Sequence, residues 1–169
     1  MIISSQIVEQ VWQGTSQIED AQEAQALSQK FINDQPVLAG FVLNYLKTNA
    51  NEDVANVGFY IAMVVWKIFE SSSRGRLESL SETAIKDVFE KNESVFHELA
   101  RANELTIENF LARQSVYSQP HVLKYIVEAI YAEEDEHQIS LEQQSFLFRC
   151  LKVVVDSFSQ SFYLQEIAK

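Results

Sequence analysis

Residues 35–46 read Gln-Pro-Val-Leu-Ala-Gly-Phe-Val-Leu-Asn-Tyr-Leu, and residues 119–130 read Gln-Pro-His-Val-Leu-Lys-Tyr-Ile-Val-Glu-Ala-Ile. A proline suits the first turn of a helix, where its missing N–H has no internal partner to lose. Behind Pro36, the residues Val37, Leu38, Phe41, Val42, Tyr45 and Leu46 recur at helical spacing. Behind Pro120, Val122, Leu123, Ile126, Val127 and Ile130 do the same. The two stretches predict two helices of the same kind in opposite halves of the chain.

The echo extends outward. Phe41-Val42 falls on Ile126-Val127 at an offset of 85, and Phe59, Val64, Val65 and Phe69 fall on Phe148, Val153, Val154 and Phe158 at an offset of 89. Upstream, Ile7, Val8 and Val11 fall on Val95, Phe96 and Leu99 at an offset of 88. Three segments in the same order predict a duplicated four-helix unit of about 85 residues.

The rest of the chain agrees with helices. It has four Gly and two Pro in 169 residues, too little punctuation for the many turns of an all-β fold. Ile3, Ile7, Val8, Val11 and Trp12 mark a first helix stopping at Gly14, and Ser16 with Glu19 reads as the capping box of a second. Residues 52–70 are apolar around nearly the whole circumference, which predicts a central helix. A polar, glycine-bearing linker, Ser71 to Arg76, separates it from the second half. There Ser81, Thr106, Pro120 and Ser140 open four further helices.

The expectation is therefore an all-α chain of about eight helices forming one domain over residues 1–169, with candidate repeat units 1–72 and 77–169. They would pack as a helical bundle or a short superhelix. Short connections and a proline at a helix start resemble the general class of α-helical repeats that includes the HEAT and armadillo proteins. The resemblance implies an architecture and carries no function.

A net charge of −11, split as −5 over residues 1–85 and −6 over residues 86–169, repels phosphate backbones and anionic lipid. Neither direct nucleic-acid binding nor a membrane partner is expected. The uncharged run from Val54 to Trp66 falls short of the roughly 20 residues of a membrane-spanning helix. A single cysteine, Cys150, and no signal-like N-terminal pattern suit a reducing, cytoplasmic setting.

Chemistry is sparse. Carboxylate-bridged metal sites in helical bundles need Glu-x-x-His pairs on two helices. Glu134 with His137 supplies one such pair, inside a charged run that reads as a solvated loop. Glu93 and His97 share a helix face at four-residue spacing and read as an exposed pair. These four residues are the candidate metal ligands; no cofactor is expected. Cys150 reads as an inert core thiol, and Trp12 and Trp66 as core.

Arg74 and Arg76 concentrate the positive charge of the first half, while Tyr45, Tyr125, Tyr131 and Tyr163 could rim a groove. The leading expectation is a non-catalytic protein-interaction or self-association module, its partner another protein or a second copy of the chain. A metal- or ligand-binding helical enzyme is the first alternative, an acidic inhibitor or nucleic-acid mimic the second.

Overall fold

The computed structural model describes residues 1–73, 76–113, 119–133 and 138–168. Among them are eight α-helices and no strand: α1 Ser5–Ser16, α2 Ala21–Asp34, α3 Pro36–Asn49, α4 Glu52–Ser72, α5 Glu82–Arg101, α6 Ile107–Ala112, α7 Pro120–Ala132 and α8 Leu141–Ile167.

The helix starts follow the capping chemistry of the sequence. Ser4, Asn51, Ser81, Thr106 and Ser140 each accept a hydrogen bond from a first-turn amide through the side chain. Ser140 completes a capping box with Gln143, whose side chain accepts from the Ser140 N–H at 3.1 Å. Pro36 and Pro120 both occupy the first turn of their helices.

The second helix starts differently from the expectation. Asp20, not Ser16, is its cap, accepting from the Gln22 N–H at 2.7 Å, because Ser16 is still the last residue of α1. Helix α1 runs through Gly14 without stopping there.

Helices α4 and α8 pair at the centre. Helices α1 and α3 pack on α4, and α5 and α7 on α8; α3 reaches α8 and α5 as well, and α1 touches α7. An end-to-end superhelix would keep α1 away from α7, so the halves interleave. One apolar core runs through both, built around Trp66, Phe31, Phe69 and Phe158. Burying each such side chain contributes about 1.5–3 kcal/mol against the entropy of ordering it.

One expectation about large residues changes. Trp66 is fully buried, but Trp12 is 40% exposed on α1. Among the described residues, α4 is the one helix long and apolar enough to cross a membrane by length and composition; most of that stretch is buried against its neighbours.

Candidate functional site

The α5–α8 contact carries a part-buried charged seam. Arg149 donates to both carboxylate oxygens of Glu93, from Nε at 3.2 Å and from Nη2. Its guanidinium carbon lies 3.5 Å from the Phe96 ring centroid, so the cation is covered by an aromatic face and matched by a carboxylate at once. One turn along α8, the buried Lys152 pairs with Asp156, which also accepts from Asn92 Nδ2 at 3.0 Å. Each buried charge thus has its partner, the condition under which such a seam is tolerated at all.

This geometry corrects the reading of Glu93. It is half-buried and ion-paired 56 residues away, rather than being half of an exposed pair with His97, which is itself exposed one turn on. To ligate a metal, Glu93 would have to give up Arg149. Glu134 and His137 lie outside the described residues. Among those described, no group of three or more His, Cys, Asp or Glu side chains is placed to hold a metal ion.

The tyrosines have separate neighbourhoods. Tyr45 packs against Phe41 and Phe89, with ring centroids 5.9 and 6.3 Å away, and burial pushes its hydroxyl up to about 12. Tyr125 lies toward Tyr60 and Glu133, and burial first, then those two neighbours, raise it as well. Tyr131 is exposed, as is Tyr163. Arg76 is exposed, and Arg74 lies outside the described residues. Of the described groups, Tyr131 alone lines the cleft between α5, α6, α7 and α8.

That cleft is a cavity of about 310 Å³, open where the end of α5, helix α6, the end of α7 and the start of α8 meet. Its floor is Phe96, Phe110 and Phe148, with Phe110 edge-on to Phe96 at 6.3 Å and to Phe148 at 5.6 Å. Its rim carries three exposed apolar side chains, Leu105 at 42%, Tyr131 at 42% and Leu141 at 80%, with Glu108 beside them.

Arg149 stands behind the floor, its guanidinium on Phe96, so the charged seam fixes one wall of the cleft. Sequence reading found Tyr131 alone of these. Leu105 and Leu141 sit beside helix caps, where an apolar residue carries no periodic signal. The seam did have one: Arg149, Lys152 and Asp156 interrupt an otherwise apolar helix at spacings of three and four.

Cys150 is fully buried, and burial pushes its thiol far up, away from the reactive thiolate. Among the described residues, the lining of the cleft is apolar surface with one carboxylate, one amide and three hydroxyls. Compared with known proteins, the chain matches no family model, no curated protein and no solved structure.

Proposed function

We propose that the chain is a non-catalytic protein-interaction module whose contact surface is the cleft between α5, α6, α7 and α8. The observation that carries this reading is the exposure of Leu105, Tyr131 and Leu141 around a floor of three phenylalanines. Water-exposed apolar side chains grouped over a concave aromatic floor gain free energy when covered, about 1.5–3 kcal/mol for each one fully buried.

The occupant is a segment of another protein with apolar side chains flanked by basic ones. The apolar side chains match the floor, and the basic flanks match Glu108 at the rim and the net charge of −11.

The test is capture of partners from a lysate of the source organism with the wild-type chain and with Leu141→Asp, a substitution at a side chain 80% exposed that leaves the core intact. A near-stoichiometric partner held by the wild type and lost by the variant supports the reading. Equal capture by both moves the contact away from this cleft. A wild type that captures only further copies of itself replaces the reading with self-association.

A further inference from the structure

Gln35 and Gln119 are buried side chains that make the same unusual contact. Gln35 Nε2 donates to the Glu78 carbonyl and its Oε1 accepts from the Leu80 N–H, both at 2.9 Å. Gln119 Nε2 donates to the Met1 carbonyl and its Oε1 accepts from the Ile3 N–H, again both at 2.9 Å. Each amide thus satisfies the acceptor of one residue and the donor of the residue two further on, as a neighbouring β-strand would.

What each clamp holds is the lead-in to the first helix of the other half. Beyond the clamped residues come Ser4 and Ser81, the caps of α1 and α5, and the clamped Ile3 and Leu80 are both buried. The register that relates α1 to α5 is therefore an offset of 77, not the 88 of the apolar echo.

The same correspondence holds for α3 with α7 and α4 with α8, while α2 and the six-residue α6 share one aromatic contact and otherwise pack on different neighbours. The buried residues of α3 are Leu38, Ala39, Val42 and Leu46; those of α7 are Val122, Leu123, Ile126 and Ile130, each 84 positions on. Phe31 of α2 packs on Phe59 of α4 at 5.5 Å, and Phe110 of α6 packs on Phe148 of α8 at 5.6 Å. Asn51 and Ser140, the caps of α4 and α8, differ by 89, as do Phe59 and Phe148.

Two contacts locate an axis. Phe69 stacks on Phe158 with centroids 5.1 Å apart, and Gly58 lies directly against Leu147. Both pairs are separated by 89, so each residue touches its own counterpart, which in a twofold arrangement happens only on the axis. The two contacts are eleven residues apart on both helices, about 16 Å at 1.5 Å per residue, so α4 and α8 run parallel with the axis between them.

We propose that α1–α4 and α5–α8 are equivalent units related by a pseudo-twofold axis along the α4–α8 seam. The seam is then a subunit-type interface, and the partner that fits each of its faces is a second copy of the unit. The chain is a dimer made within one polypeptide.

The axis makes a contact prediction between the two that locate it. Ala62 and Leu151, both fully buried and 89 apart, must face each other, as must Val65 and Val154. The test is a double-mutant cycle on the full chain by urea unfolding, with Ala62→Leu, Leu151→Ala and the double variant. Each single change lowers the folded-to-unfolded ratio by roughly tenfold or more, through overpacking and through a cavity respectively. The double variant is expected to recover at least about tenfold over the product of the single effects.

Effects that simply multiply overturn the proposed axis. Should either single variant fail to fold, the smaller exchange Val65→Ile with Val154→Ala reads the same question. Recovery of at least about threefold supports the axis, and independence of the two changes overturns it.

Discussion

Gly58 lies so close to Leu147 that a Cβ added to it would stand 2.7 Å from Leu147 Cδ2 and 2.6 Å from Leu46 Cδ1. Both leucines are buried with little room to move. An alanine at a helix-interior position gains about 1 kcal/mol over glycine in propensity, while overpacking a core costs about 1–3 kcal/mol. Gly58→Ala is therefore expected to lose about 1 kcal/mol net in urea unfolding, and Gly58→Val more. Combined with Leu147→Ala, the loss should be smaller than the sum of the two single losses, because the second change empties the space the first one needs.

The glutamine clamps set a second expectation. Gln35→Ala or Gln119→Ala removes two hydrogen bonds and leaves a carbonyl and an N–H without partners beside buried Leu80 or Ile3. Each variant should lose about 2–3 kcal/mol of stability, the scale of abandoned polar groups in a protein interior. Hydrogen exchange localises the effect: Gln119→Ala should speed exchange at the Ile3 amide and leave Leu80 protected relative to global stability, with the reverse for Gln35→Ala.

Acid sensitivity follows from Glu70. Burial alone would raise its carboxyl, but hydrogen bonds from Lys30 and Lys67, together with their charges, outweigh this and hold it below the usual 4.5. A carboxylate lowered in the folded state adds stability above its unfolded value, and that stability is lost as pH falls through the folded one. Unfolding free energy should thus decline as pH drops below about 4.5, and Glu70→Gln should flatten that decline. Lys30 acts at the other end: burial pulls it down, and the bonds to Asp34 and Glu70 raise it above 10.5, so its share of stability is lost only as pH rises beyond that value.

Cys150 gives the fourth expectation. Its fully buried, upward-shifted thiol should react with a disulfide reagent only when the protein opens. The labelling rate at neutral pH should follow the unfolding equilibrium across a urea series, and fast labelling of the native state would contradict the burial of α8.

The fold was largely legible because it rests on periodicity. Apolar stripes in α3, α4, α7 and α8, two prolines at helix starts and the serine and threonine caps mark their elements locally. The registers were less so. For the proposed pairing of the halves, apolar alignment favours 85 and 88 where the glutamine clamps favour 84 and 77, because amphipathic helices match one another at several phases while a side-chain clamp fits at only one. Trp12 reads as core from the apolar face it shares with Ile7, Val8 and Val11, yet it is 40% exposed.

The candidate site was mostly illegible for a different reason. Glu93 and Arg149 are 56 residues apart, and Phe96, Phe110 and Phe148 come from three helices. Nothing in their own neighbourhoods announces the meeting; only the packing of α5, α6 and α8 creates it. Tyr131 was found through its residue type, while Leu105 and Leu141 had no signal beyond being apolar next to a cap.

The interlocking of the two halves through the α4–α8 seam and the two clamps makes them one body. Its most direct measurement is the mass of the full chain after cleavage at a protease site inserted between Ser73 and Leu77, by light scattering at micromolar concentration. The expected result is one species containing both halves, close to the uncut 19.4 kDa, that unfolds in a single transition. Halves that separate without denaturant, or that melt in two independent transitions, would contradict it.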